Sequence, residues 1–181
     1  MATKTLMTAA AFAGTGPETD GFELVRGELT SIPPAKGRHG EVCMNVAILL
    51  GAYKKSRGSG TLIGNDSGII TEKNPDTVRG VDVAFFLDPS WQGPAPNRYF
   101  DEPPDLAVEV RSEGRPWKDL LAKAHEYFQM GVRMVWIVDP KVRRLTVFQP
   151  DEEPAIYASE NKFDGGTVLL GFRCRIAEIF E

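Results

Sequence analysis

The chain has 181 residues, and its 21 lysines and arginines stand against 25 aspartates and glutamates, for a formal net charge of -4. Hydrophobic residues make up 42% and charged residues 25%, which is typical of one soluble globular domain and excludes a collagen, a coiled coil or wholesale disorder. The acidic balance argues against a protein that coats nucleic acid through charge alone. It still allows a local basic groove or a metal site that offsets carboxylates.

The first 20 residues are expected to form a short helix or a loose tail ahead of a domain spanning 21–181. Lys4 followed by LMTAAAFAG has some features of a signal peptide, but the apolar run is short and interrupted by Thr8. No stretch has the roughly 18 uncharged apolar residues that a membrane helix needs. Next, FELVRGELTSI is typical of a β-hairpin that turns at Arg26-Gly27.

Helical spacing predicts a helix over about 38–57, because apolar residues recur on one face. TLIGN and GIIT predict two short strands around a turn at Asp66-Ser67. RGVDVAFFL is apolar on both faces, which predicts a central strand. The segment 88–104 then contains five prolines, and a loop of this length in a compact domain is more often functional than filler.

PDLAVEVRS and RMVWIVDP predict two buried strands, joined by a helix that starts near Pro116 and ends at Gly131. A strand, a crossover helix and a second strand form the α/β unit, and its crossover should be right-handed. RRLTVFQP should pair with the later strand, and IAEIF should form a last short helix. The expected fold is therefore α/β (α+β), with a central mixed β-sheet flanked by helices.

Charged residues inside the apolar strands are the candidates for chemistry. Asp82 lies within VDVAFFL, and Glu109 lies in the middle of DLAVEVR, on the same strand face as Asp105. An unpaired buried carboxylate is costly, so Glu109 requires a cation, a base or a metal. Lys123 on the following helix is one candidate partner, although periodicity alone favours a surface pair with Asp119 four residues earlier.

Two carboxylates on neighbouring strands and a lysine are what metal-dependent phosphodiester cleavage requires. Carboxylates can hold Mg²⁺, which polarises the phosphate and lowers the pKa of the attacking water. A lysine can orient that water or stabilise the developing charge. With two cysteines and two histidines in the whole chain, a metal finger or a site of several histidines is excluded.

A family resemblance runs in order through nearly the whole chain, from about Phe22 to Phe180. It is carried by FELVRGEL, by RHGEV opening a helix, by PPDLAVEV, by K-x-x-x-Y within a helix and by GVRMVWIVDP. At this spacing the chain resembles the bacterial Uma-two family of proposed restriction endonucleases, within the PD-(D/E)XK nuclease superfamily. The resemblance implies a restriction endonuclease-like fold and an endonuclease that hydrolyses DNA with Mg²⁺, or with Mn²⁺.

The resemblance also implies roles for single residues. Asp82 and Glu109 match the two acidic metal ligands, and Lys123 matches the catalytic lysine. That lysine has moved onto the helix, since Arg111 occupies the usual position two residues after the glutamate. Glu41, near the start of the first long helix, resembles the additional acidic metal ligand of the superfamily.

Two departures from the family pattern leave open whether the chain is active. Val81 stands where proline usually precedes the first acid, and Ser112-Glu113-Gly114 replaces Ser-Pro-Ser, which adds an acid beside the site. One alternative is therefore a catalytically silent module that binds nucleic acid or a partner on the nuclease fold. A second alternative is a different metal-dependent hydrolase, which would have an apolar pocket.

Several other residues have more than one interpretation. His39 is expected to cap its helix, to be half-buried or to contact phosphate, in that order. Tyr127 is expected to pack in the core or to donate to the site, while Trp91 and Tyr99 would cover the sheet or stack on bases. Two basic clusters, 36–57 and 141–144, would contact phosphate or solvent. We expect a cytoplasmic protein, and cutting both DNA strands with one site per chain would suggest a homodimer.

Overall fold

The computed structural model describes residues 5–91 and 93–181. Its N-terminal half contains α1 (Ala9–Gly14), a 3-10 helix (Gly16–Thr19), β1 (Phe22–Val25), β2 (Glu28–Ser31), α2 (Gly37–Arg57), β3 (Thr61–Glu72) and β4 (Thr77–Phe86). Its C-terminal half contains β5 (Leu106–Val110), α3 (Trp117–Met130), β6 (Met134–Asp139), β7 (Arg144–Phe148), β8 (Ala155–Ala158), β9 (Lys162–Phe163), β10 (Cys174–Arg175) and a 3-10 helix (Ile176–Ile179).

Eight strands form one sheet in the order β2-β1-β4-β5-β6-β7-β8, with β3 also paired to β4. β5 and β6 run parallel and are joined through α3, as the strand–helix–strand pattern predicts. The other pairs among the described strands of this sheet are antiparallel. The predicted mixed α+β architecture with a central sheet and flanking helices is therefore confirmed.

Alternation along β5 divides the interior into two cores, one on each face of the sheet. Leu106, Val108 and Val110 pack in the core beneath α2, together with the fully buried Trp136. Ala107 packs on the other face beneath α3. Because α2 and α3 cover both faces, a polar side chain in the middle of β4 or β5 is enclosed on all sides unless a cavity reaches it.

β3 differs from the prediction of two strands, because it is one continuous strand with a bulge. Its register against β4 shifts between Gly64 and Ser67, and Asn65 and Asp66 have positive φ values of 60° and 54°. A bulge preserves pairing on both sides while it re-aims local side chains. The turn-forming residues thus mark a bulge that places Asp66 against the cavity described below.

Helix α1 packs against the hairpin end of the sheet, within the segment for which a short helix or a loose tail was expected. Phe12 is buried beside Leu24 and Val78, and the Ala9 N–H donates to the Asp76 carboxylate at 2.7 Å. Lys4, the basic residue of the signal-like stretch, lies outside the described residues. Within the described ranges, no helix is both long enough and apolar enough to cross a membrane.

The described part of the proline-rich segment between β4 and β5 covers the sheet. The Trp91 ring lies 5.0 Å from Phe86 and 5.4 Å from Phe100, and Tyr99 stacks on Phe12 at 5.6 Å. The Phe100 N–H donates to the Gly68 carbonyl at 2.9 Å, which fastens the segment to β3. Trp91 and Tyr99 thus cover the sheet, which is one of the two roles expected for them.

Candidate active site

The site lies where β4 and β5 stop pairing. Their antiparallel register ends at Val83 and Val108, and one further step would set Asp82 opposite Glu109. There the Asp82 Oδ2 accepts a hydrogen bond from the Val110 N–H at 2.6 Å, so a side chain replaces a backbone partner. Both carboxylates line one cavity of about 1160 Å³, which opens between the diverging strands, the hairpin and α3.

Glu109 is 1% exposed and its two oxygens are held from α3. Oε2 accepts from the Lys123 ammonium at 2.9 Å, and Oε1 accepts from the Tyr127 hydroxyl at 2.7 Å. Burial, reinforced by the nearby charge of Asp82, raises the pKa of Glu109 to about 7 despite these two partners. Tyr127 thus fulfils both of its expected roles, because it is fully buried and also donates to the site.

Lys123 is the partner that the buried glutamate required. It is 3% exposed, and its ammonium contacts the Gly80 carbonyl at 2.6 Å, Glu109 at 2.9 Å and Glu23 at 3.2 Å. Burial alone would lower the pKa of Lys123, but the surrounding carboxylates hold it above its usual value. The prediction from helical periodicity that Lys123 pairs with Asp119 at the surface is therefore wrong.

Sequence reasoning missed the second carboxylate beside Lys123. Glu23, on β1, also accepts from Arg79 at 2.9 Å, and Arg79 forms a two-pronged pair with Glu126 of α3. Burial alone would raise the pKa of Glu23, but Lys123 and Arg79 hold it below its usual range. Alternating charges therefore link β1, β4 and α3 behind Glu109. The one signal in the sequence was an acid, Glu23, within the short hairpin strand FELV. Its partners Arg79 and Lys123 are distant in sequence, so local pattern could not identify them.

A second group of side chains meets Asp82 from α2. The His39 Nε2 lies 3.2 Å from the Asp82 Oδ1, and its Nδ1 lies 3.2 Å from the Ser112 hydroxyl. The hydrogen bond to Asp82 raises the pKa of His39, although burial acts against it. One turn later, the half-buried Cys43 brings its sulfur to the same place, and burial raises the pKa of its thiol. His39 is half-buried, which is one of the three roles expected for it. Its contact with Asp82 was not predicted.

Glu41 is the one candidate ligand that the structure places apart from these contacts. It is exposed and pairs with Arg38 at 2.6 Å, so its role as a metal ligand stays a prediction. Arg111, at the usual lysine position, instead bonds Asp139 at 2.8 Å. Glu113 is exposed and pairs with Lys36 at 2.7 Å.

The carboxylates fit a hard divalent cation in chemistry and charge. Asp82 and Glu109 supply oxygen atoms, which Mg²⁺ and Mn²⁺ prefer as ligands. Both carboxylates line one cavity, and repulsion from the negative charge of Asp82 contributes to the raised pKa of Glu109. A dication is the species that would relieve this repulsion.

A comparison with protein-family models matches residues 15–177 to Uma2, described as "Putative restriction endonuclease". The chain belongs to the Uma2 family. The resemblance read from its motifs is thereby confirmed, and it covers the hairpin, both buried strands of the site and α3.

The structure of this Uma2 protein is also similar to a solved structure described as a putative nuclease belonging to DUF820, from Anabaena variabilis ATCC 29413. The TM-score is 0.80 over 96% of this chain and 97% of that chain, at 15% sequence identity. At such low identity the likeness shows the shared fold alone. A comparison with curated proteins finds no match.

Proposed function

We propose that this Uma2 protein is an endonuclease that hydrolyses phosphodiester bonds in DNA with a divalent cation, Mg²⁺ or Mn²⁺. The convergence of Asp82 and Glu109 from adjacent strands on one cavity, with Lys123 bonded to Glu109, carries the proposal. Family membership supports the same class of reaction. The second alternative, a hydrolase with an apolar pocket, is not favoured because Glu23, Arg79 and Lys123 line the cavity together with the two carboxylates.

The two carboxylates would hold the cation, each from a different strand. When bound, the cation would polarise the phosphate and lower the pKa of the attacking water. Asp82 is held in place for this task, because the Val110 N–H donates to Oδ2 at 2.6 Å and the His39 Nε2 lies 3.2 Å from Oδ1. Glu109 is prepared because two donors from α3 prevent its carboxylate from rotating.

Lys123 supports this arrangement mainly through Glu109. Each of the three donors of an ammonium group has an acceptor within reach, namely Gly80, Glu109 and Glu23. Direct contact with the attacking water would therefore require Lys123 to release one of these acceptors. In the described arrangement it holds the buried Glu109 carboxylate in place and partly offsets the effect of burial on its pKa, which makes it a positioning residue.

DNA would approach from the open side of the cavity. Arg115 lines the cavity, and the exposed Lys36 and Arg38 lie at the start of α2, within one turn of His39. Such groups supply phosphate contacts that are independent of base sequence. Lys36 and Arg38 now pair with Glu113 and Glu41, and a DNA phosphate would compete with these carboxylates for them.

Nicking of supercoiled plasmid DNA tests the proposal. Wild-type protein should nick the plasmid with Mg²⁺ or Mn²⁺ and not with a chelator, and Glu109→Gln should remove this activity. Asp119→Asn is the matched control, because Asp119 is an exposed acid that lines the same cavity from α3. A Glu109→Gln variant that is folded and nicks at the wild-type rate would contradict the assignment.

A catalytically silent binding module is the second candidate, and one observation favours it. Both oxygens of Glu109 already accept hydrogen bonds, and the residue is 1% exposed, so a cation would have to share an occupied carboxylate. Isothermal titration with Mg²⁺ and Mn²⁺ separates the two candidates. A silent module should bind neither cation through Asp82 and Glu109. The proposed nuclease should bind at least one of them, and replacement of either carboxylate should remove this binding.

A further inference from the structure

Three side chains of different chemistry converge at the end of the cavity next to α2. One ligand atom each from His39, Cys43 and Asp82 lies within 4.8 Å of the other two. His39 and Cys43 are four residues apart on α2, so they project from one face of that helix towards β4. The proposed nuclease chemistry uses Asp82 and leaves the imidazole and the thiol without a role.

We propose that His39, Cys43 and Asp82 form a binding site for a transition-metal dication such as Zn²⁺ or Co²⁺. Nitrogen, sulfur and oxygen ligands together are typical of Zn²⁺ and unsuited to Mg²⁺, which requires oxygen. Tetrahedral coordination at ordinary bond lengths places ligand atoms roughly 3.3–3.8 Å apart. The observed separation of 3.2 Å between the His39 Nε2 and the Asp82 Oδ1 is close to that requirement.

Neighbouring groups already hold two of the three ligands in a suitable orientation. The Ser112 hydroxyl bonds the His39 Nδ1, and this leaves Nε2 to face Asp82. The Val110 N–H bonds the Asp82 Oδ2, and this leaves Oδ1 to face His39. Outer-shell partners of this kind are typical of built metal sites, because they fix the histidine ring and the carboxylate before the metal arrives.

Binding requires a simple exchange of protons for metal. The Cys43 thiol gives its proton to solvent and binds as a thiolate, and the His39 Nε2 binds in its unprotonated form while Nδ1–H donates to Ser112. Three protein ligands leave the fourth tetrahedral position for water or for an anion in the cavity. Since Asp82 belongs to both sets of ligands, this metal and a cation held by Asp82 and Glu109 would compete.

Cobalt absorption spectroscopy on the full chain, kept reduced and freed of metal by a chelator, tests the site directly. One equivalent of Co²⁺ should produce a thiolate-to-cobalt charge-transfer band in the near ultraviolet, with visible bands of tetrahedral intensity. Cys43→Ser should lose the charge-transfer band. Cys174→Ser is the matched control, because Cys174 is the other free cysteine and lies buried outside this cluster, so the band should remain.

Two further variants test the geometry. His39→Ala should weaken Co²⁺ affinity by at least tenfold, and Ser112→Ala should weaken it by about 10–100-fold through loss of orientation. Thermal unfolding confirms that each variant is folded, and Cys43→Ala replaces Cys43→Ser if the serine is not tolerated. A wild-type protein without the band, or a band that persists without Cys43, overturns the proposal.

This outcome is separable from that of the nuclease assay. Glu109→Gln should abolish plasmid nicking but keep the cobalt band, because Glu109 is not a ligand of this site. A band in a wild-type protein that does not nick DNA refutes the nuclease and supports the metal site. A wild-type protein that nicks DNA but shows no cobalt band supports the nuclease and refutes the metal site.

Discussion

Replacement of Glu23 by glutamine should destabilise the protein far more than an exposed Glu→Gln substitution. Glu23 is 5% exposed, and its carboxylate accepts from Arg79 at 2.9 Å and from the Gly80 N–H at 3.1 Å, with Lys123 at 3.2 Å. Removing one partner of a buried ion pair costs about 3–5 kcal/mol. Arg79 retains Glu126 and Lys123 retains Glu109, so we expect a loss near the lower end, about 3 kcal/mol.

The pH dependence of this loss follows from the lowered pKa of Glu23. An acid whose folded-state pKa is lowered stabilises the protein above its unfolded-state pKa. This contribution disappears as the pH falls through the folded-state value. The wild type and Glu23→Gln should therefore differ most near neutral pH, and the difference should shrink below about pH 4.

Urea unfolding followed by circular dichroism, near neutral pH and again in acid, measures both effects. Glu160→Gln is a suitable control, since Glu160 is exposed, and its effect should stay within about 0.5 kcal/mol. If Glu23→Gln costs no more than Glu160→Gln near neutral pH, the buried network does not stabilise the fold as argued.

Three further substitutions should lower the free energy of unfolding measured in urea. Tyr127→Phe removes the donor to the buried Glu109 Oε1 and should cost about 1.5–3 kcal/mol; a change within experimental error would show that the bond contributes nothing. Trp136→Ala empties a fully buried site and should cost about 3–5 kcal/mol, unlike a surface truncation. Gly68→Ala places a Cβ against the Tyr99 ring and should cost about 1–3 kcal/mol while exposing the 88–104 segment to protease; unchanged protection would contradict the covering role.

The strands and helices around the site were predictable because local pattern and tertiary environment agree there. DLAVEVR alternates between two buried faces, so its single mid-strand acid stands out, and the structure buries it. Gly131 ends α3 with a φ of 104°, as a glycine after a helical pattern predicts. Where each local choice serves the same fold, sequence reasoning succeeds.

The remaining features depend on contacts between residues far apart in the chain. Lys123 lies at the edge of the apolar face of α3, and periodicity cannot distinguish Asp119 on its own helix from Glu23, which is 100 positions away on β1. The convergence of His39 and Cys43 on Asp82 likewise depends on how α2 crosses β4. Even the bulge in β3 became visible only through its register against β4.

Cleavage of an end-labelled DNA duplex under single-turnover conditions, with and without Mg²⁺, tests the central claim most directly. Wild-type protein should cut the duplex when Mg²⁺ is present, and Asp82→Asn should not, although it folds and retains Glu109 and Lys123. The cavity control Asp119→Asn should cut like the wild type. Cleavage by Asp82→Asn at the wild-type rate, or by wild type in excess chelator, would contradict a metal-dependent nuclease centred on Asp82 and Glu109.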